Sequence, residues 1–197
     1  MNKITSILII GLFSISVWPG LPQAEEAQQK KKIMVCEVYF DENEPSKNWV
    51  ELCNPHDETI TLHRFRTSNI LGLDCLPADI REKGGIAFAP GQVMVLCADN
   101  AVFTREWRNS IDLVEVEMLK ELGSFGYIAA QTKDSEEFVF DVVMYGSTNN
   151  AYRQVFPDHQ LLPFCTDAKS YRRNIEKKGE SVMMSDFVAS EPDPGNR

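Results

Sequence analysis

The sequence predicts an all-β sandwich with a short helical insertion, on three observations. Short runs rich in Val, Ile, Thr, Phe and Tyr recur along the chain, as suits a pleated, half-buried surface. Clusters of Asn, Asp, Pro and Gly separate them, at Asn54-Pro55-His56-Asp57 and at Ala89-Pro90-Gly91 among others. Asn100–Arg108 is the stretch that combines a capping residue with apolar positions at helical spacing. About eight to ten short strands with turns between them make a two-layered sheet structure.

The first elements are Ile33–Phe40 and Trp49–Cys53, two strands joined by a polar, Pro-containing connection, with an internal glutamate in each, Glu37 and Glu51. On a regular pleat Cys36 shares a face with Met34, Val38 and Phe40. After the turn at 54–57 come Thr59–Leu62 and a further short strand at Phe65–Ser68, then an irregular stretch over 69–85 that ends in Gly84-Gly85. Ile86–Phe88 and the apolar run Gln92–Ala98 flank Pro90-Gly91 and read as a hairpin. In the helix at 100–108, Asp99 or Asn100 is placed to accept from the first free backbone N–H groups, and Val102, Phe103 and Trp107 share a face. Leu113–Glu117 fits strand and helix equally, and Met118–Leu122 reads as a helical turn stopped at Gly123. Tyr127–Thr132 and Phe138–Tyr145 form the clearest later hairpin. In its second strand Phe138, Phe140, Val142 and Met144 take one face, and Val139, Asp141, Val143 and Tyr145 the other. Tyr171–Asn174 and Phe187–Ala189 are short strands in a loop-rich end.

The N-terminus reads as an export signal over residues 1–24: Lys3, an apolar core from Ile4 to Val17, helix breakers at Pro19, Gly20 and Pro22, and the small residue Ala24. Its apolar core of about 14 residues is shorter than the roughly 20 a membrane-crossing helix needs. The expected location is secreted, periplasmic or on the cell surface, with no transmembrane span after cleavage. A polar linker over 25–32 follows, and Lys30-Lys31-Lys32 within it reads as solvated. Residues 33–197 suffice for one domain with a full core. The chain carries 29 acidic and 20 basic side chains, a formal charge of −9, and loss of the leader removes Lys3 and no acid. A field of that sign opposes phosphate backbones, so no nucleic-acid partner is expected.

Five cysteines, Cys36, Cys53, Cys75, Cys97 and Cys165, imply up to two disulfides and one remaining thiol in an oxidising compartment. Cys36 reads as a small buried thiol, and Cys75 with Cys165, both in loop-like, Pro-containing stretches, is the first choice for a bridge. No Cys-x-x-Cys pair points to zinc.

Chemistry has few candidates. Glu37 and Glu51, on neighbouring strands, are able to share a proton or hold a metal. The favoured alternative makes them structural acceptors, with Arg172 or Arg173 as the cationic partner. His56, His63 and His159 read as surface residues. Cys165 near His159 raises a thiol-hydrolase arrangement, against which a disulfide is favoured. The acidic loops Asp41–Glu44 and Asp134–Glu137 lack the alternating ligand spacing of a calcium site and read as solvated turns. Phe103 and Trp107 are either exposed anchors or filling beneath the insertion.

Five stretches, in order, resemble the lamin-tail domain family, an immunoglobulin-like module also found in exported bacterial proteins. Val35-Cys36-Glu37-Val38 resembles its first strand, and Trp49-Val50-Glu51-Leu52-Cys53-Asn54 its Trp-hydrophobic-Glu-Leu-x-Asn strand. Ala89-Pro90-Gly91-Gln92 with Val93–Cys97 is similar to its Pro-Ala-Gly turn and apolar strand, and Phe140–Tyr145 to its late Val-Asp-x-Val-x-Tyr strand. Ser170–Arg173, Phe187–Ala189 and Pro192-Asp193-Pro194-Gly195-Asn196 resemble its closing strands and Pro-Gly tail. The resemblance spans residues 33–197 and implies an immunoglobulin-like sandwich that recognises rather than catalyses.

The expected function is therefore an exported, non-catalytic recognition, adhesion or scaffolding module, whose partner is a protein, a polysaccharide or a cell-surface component. No catalytic, metal-binding or cofactor-binding residue is assigned. The competing class is a small exported hydrolase with an acidic, Ca²⁺-assisted site, distinguished by whether carboxylates converge in a pocket.

Overall fold

A computed structural model describes residues 30–67, 74–107, 111–123, 125–134, 137–146, 161–164, 169–178 and 181–195. The leader at 1–24, His159 and Cys165 lie outside the described residues, as does most of the 146–169 loop.

Among the described residues, eleven strands in two sheets form an all-β sandwich: β1 (Met34–Tyr39), β2 (Trp49–Cys53), β3 (Ile60–Thr67), β4 (Ile86–Phe88), β5 (Val93–Cys97), β6 (Asp112–Glu115), β7 (Phe125–Asp134), β8 (Glu137–Gly146), β9 (Leu161–Leu162), β10 (Ser170–Lys178) and β11 (Ser181–Ser190). One sheet has the order β11-β10-β1-β2-β5-β6, the other β4-β3-β7-β8-β9. Val35, Val38, Phe40, Val50, Leu52, Met94 and Leu96 of the first sheet meet Leu62, Phe65, Phe88, Ile128, Ala130, Val143 and Tyr145 of the second in one apolar core. Burial of these branched and aromatic side chains is the main source of stability.

Several local expectations are corrected. Ile86–Phe88 and Val93–Cys97 are not a hairpin: β4 pairs with β3 and β5 with β2, so Pro90-Gly91 carries the chain from one sheet to the other. Asn54, fully buried, pins that crossing. Its side-chain amide donates to Glu58, Phe88 and Ala89 carbonyls, and its own carbonyl accepts from Gly91 N–H. A buried amide with this many partners fixes the spacing of both connections. Residues 60–67 form one continuous strand, and a short helix, α1 (Ala78–Glu82), interrupts the stretch expected to be irregular.

The helical insertion is α2 (Asn100–Trp107), started as expected by Asp99, whose Oδ1 accepts from Ala101 and Val102 N–H at 3.1 and 3.0 Å. It leads into β6, which runs parallel to β5, so that of the ambiguous stretch Leu113–Glu117 the first three residues are strand and Glu117 opens the next turn. Parallel pairing of consecutive strands requires such a crossover. A 3-10 turn at Glu117–Glu121 follows. The β7–β8 hairpin is as expected and longer, and β10 and β11 extend well beyond the short strands anticipated.

Candidate functional site

The two strand glutamates stand opposite one another. The β1–β2 register pairs Met34 with Cys53 and Val35 with Leu52, then slips so that Glu37, not Cys36, faces Glu51. The extra residue is a β-bulge. It reverses the alternation: Val35 and Val38 both point into the core, while Cys36 and Glu37 both lie on the opposite face. On that face Cys36 bonds to Cys53, with Cα atoms 6.4 Å apart. The expectation of a buried thiol at Cys36 is thereby overturned, because a regular pleat does not foresee the bulge. Cys97 is a buried thiol whose Sγ lies 2.9 Å from Asn100 Oδ1, and burial, helped by Glu115 and Asp99, pushes it up to about 12. The bridge anticipated between Cys75 and Cys165 falls outside the described residues through Cys165. Cys75 Sγ itself lies 3.8 Å from Thr67 Oγ1.

Neither Glu37 nor Glu51 is exposed (both 0 %). Glu37 Oε2 receives Arg172 Nε at 2.8 Å and Nη2 at 2.6 Å, while Oε1 accepts from Ser170 Oγ and from Asp193 N–H at 3.3 Å. Glu51 Oε2 accepts from Gly195 N–H at 2.6 Å. The chain end thus crosses the outer face of the first sheet and delivers backbone donors to both carboxylates, and Arg172 holds it by donating to Asp193 O at 3.1 Å. Gly195, at φ +88°, passes so close to Ile111 that a Cβ would stand 2.8 Å from its Cδ1. Beside the tail, Phe103 and Trp107 of α2 meet Trp49 edge-on, Trp107 meets Tyr39 the same way, and Tyr39 stacks parallel to Trp49. Phe103 is therefore filling, not an exposed anchor.

Of the two arginines offered as partners, Arg172 takes Glu37 and Arg173 takes a third acid that sequence reasoning passed over. Asp141, buried on the core side of β8, accepts from Arg173 Nη1, Lys32 Nζ and Val35 N–H, each at 2.8 Å. It ties the second sheet to the bulged strand of the first. The signal was present: an acid alternating with Val139, Val143 and Tyr145 on a core face requires partners. Arg173 also lies over the Phe187 ring at 4.4 Å. Lys32 is therefore not solvated as expected, and Lys31 pairs with Glu58 at 2.9 Å and Lys30 with Glu137. His56 is likewise buried rather than on the surface, its Nε2 accepting from Lys32 N–H at 3.3 Å. Asp41 closes its own turn by accepting from Asn43 and Glu44 N–H. Among the described residues no three His, Cys, Asp or Glu side chains gather as metal ligands.

The open site lies elsewhere, on the outer face of the second sheet. A bulge in β3 between Leu62 and Arg64 turns His63 and Arg64 outward together. The segment from Asp74 is fastened alongside β3: Asp74 Oδ1 accepts from Phe65 and Leu76 N–H at 3.1 Å, and Cys75 N–H donates to Phe65 O at 2.7 Å. Gly85 (φ +118°) lies against β3 so tightly that a Cβ would meet Leu62 O at 2.2 Å, which seats α1 and Arg81 beside the strand. The result is a pocket of about 480 Å³ walled by His63, Arg64, Asp74, Arg81, Gly84 and Phe138. Phe138 and Phe140 are 54 % and 43 % exposed on the same face. Gln131, the ladder neighbour of Arg64 and Phe140, is buried with no hydrogen bond to Oε1. A second, polar hollow of about 340 Å³ continues from His63 past Thr61 to Lys31 and Lys133.

Comparison of the chain with known protein families, with curated proteins and with solved structures found no match. The arrangement therefore has to be read from its own chemistry.

Proposed function

We propose that this chain is an exported, non-catalytic recognition module, an immunoglobulin-like domain of the lamin-tail type that is freed from a leader at residues 1–24 and works at the cell surface or in the periplasm. Its partner is a protein, a polysaccharide or another surface component. The observation that carries the reading is the fate of Glu37 and Glu51. Both are fully buried and engaged by Arg172, Ser170 and the N–H groups of the chain end, so they serve the frame and not a reacting group. The Cys36–Cys53 bridge suits an oxidising compartment, and no described helix is long and apolar enough to cross a membrane. The rival reading, an acidic Ca²⁺-assisted hydrolase, needs carboxylates converging in an open cleft, and among the described residues walling the open pocket one carboxylate, Asp74, stands with two arginines.

The test is to express the full chain in an exporting host, recover the processed oxidised protein, and assay it against ester, peptide and glycoside substrates with and without Ca²⁺. No turnover and no Ca²⁺-dependent rise in melting temperature are expected. Turnover abolished by Glu51→Gln in a protein of unchanged stability would overturn the proposal.

A further inference from the structure

The pocket on the second sheet, taken together with the recognition reading on which this inference rests, specifies a ligand chemistry. Most cationic side chains with a described environment are matched by acids: Lys30, Lys31, Lys32, Lys47, Lys120, Arg172 and Arg173 all sit in ion pairs. Arg64 and Arg81 are exceptions. Both are exposed, neither guanidinium has a hydrogen-bond or ion-pair partner among the described residues, and both face the same pocket. In a chain of net charge −9 that is a local reversal of sign. A guanidinium presents a planar fork that matches a carboxylate.

The other walls narrow the choice. Asp74 uses Oδ1 to hold the backbone of β3, so Oδ2 is available to accept from a hydroxyl. Phe138, more than half exposed, offers a flat apolar wall. One anionic group, one hydroxyl donor and one apolar face within about 480 Å³ describe a charged sugar ring. The hollow beyond His63, walled by Thr61, Lys133 and the Lys31–Glu58 pair, extends the same face with polar groups for a second unit. Polyphosphates fit less well, because they offer neither a hydroxyl to Asp74 nor a C–H face to Phe138.

We propose that this face binds a carboxylate-bearing sugar unit of an acidic polysaccharide, with the carboxylate on Arg64 and Arg81, a ring hydroxyl on Asp74 and the C–H face against Phe138.

Calorimetric titration of the processed, oxidised protein with tetragalacturonate at low ionic strength tests it. The comparison ligands are the methyl-esterified tetramer, an oligothymidylate and an oligoaspartate peptide. Binding to tetragalacturonate is expected, weakened about tenfold or more by Arg64→Gln and by Arg81→Gln, as loss of a charged hydrogen bond implies. Methyl esterification and Phe138→Ser should also weaken it, while Arg105→Gln on the helix over the other sheet should not. Both arginines are exposed, and unchanged urea midpoints establish that their variants remain folded. No binding by the folded wild type, binding indifferent to both arginine variants, or equal binding of the oligothymidylate or the peptide would overturn the assignment. Shortening of the tetramer, read by mass spectrometry, would instead overturn the non-catalytic reading, a separate failure.

Discussion

Glu37 and Glu51 face each other directly across the β1–β2 ladder, both wholly buried, and the chain end lies over them with its N–H groups donating to each. Two facing carboxylates normally repel, and like charges opposite one another weaken a sheet. Here Arg172, Ser170 and the backbone of Asp193 and Gly195 offset that cost. The pair therefore docks the C-terminal segment onto the sheet.

Removing the cation should expose this dependence. Arg172→Met leaves Glu37 buried without its guanidinium, and breaking a buried pair by deleting one partner costs about 3 kcal/mol or more. Urea unfolding should show that loss, and Arg172→Lys, which keeps the charge without the two-nitrogen contact, should fall between the two.

Asp141 is the second buried anchor, and it joins the sheets instead of the tail. Asp141→Asn should destabilise by about 3 kcal/mol because Arg173 and Lys32 lose their common acceptor charge. In a double-mutant cycle with Arg173→Met the two losses should fall well short of adding. Full additivity would show that the contact carries no coupling.

How much of this was legible in the sequence follows from what a period-two pattern carries. The strands, the β7–β8 hairpin and the Asp99-capped helix were readable, because each depends on local spacing and turn chemistry. The phase of β1 was not: the bulge at Cys36 turns both it and Glu37 outward, and nothing local announces an extra residue. The hairpin misread at Pro90-Gly91 has a similar origin, since a tight turn does not say whether its strands share a sheet. The pocket was invisible because Arg64 and Arg81 are 17 positions apart in the sequence and meet only when α1 docks beside β3. The role of Asp141 was readable in principle and was missed.

The disulfide closes a separation of 17 residues, and a loop of that size contributes about 3 kcal/mol through the unfolded chain. Dithiothreitol should lower the melting temperature accordingly, and Cys53→Ser should abolish that sensitivity. Cys97 should resist iodoacetamide at pH 8 in the native protein, because its thiol is held up to about 12 and the thiolate is the reactive form. Peptide mapping that finds Cys97 alkylated without unfolding would refute this.

Asp99 gives a pH signature. Its carboxyl is held below the ordinary range first by the Val102 N–H of α2 and then by Lys120, whose own group is raised, chiefly by its hydrogen bond to Asp99. A lowered acid stabilises the fold above its unfolded pKa and loses that contribution as pH falls through its folded value. Lys120 stabilises below its unfolded pKa, and that contribution goes as pH rises through its folded one. Asp99→Ala should therefore cost about 1 kcal/mol near neutral pH, as loss of a helix cap does. The gap from wild type should close below about pH 4, where carboxylates protonate.

The central claim is that the facing glutamates build the frame, and equilibrium urea unfolding of Glu37→Gln measures it most directly. Loss of the charge that holds Arg172, Ser170 and the Asp193 N–H should lower the unfolding free energy by about 2 kcal/mol or more. A variant as stable as wild type that has nonetheless lost a specific activity would contradict the account.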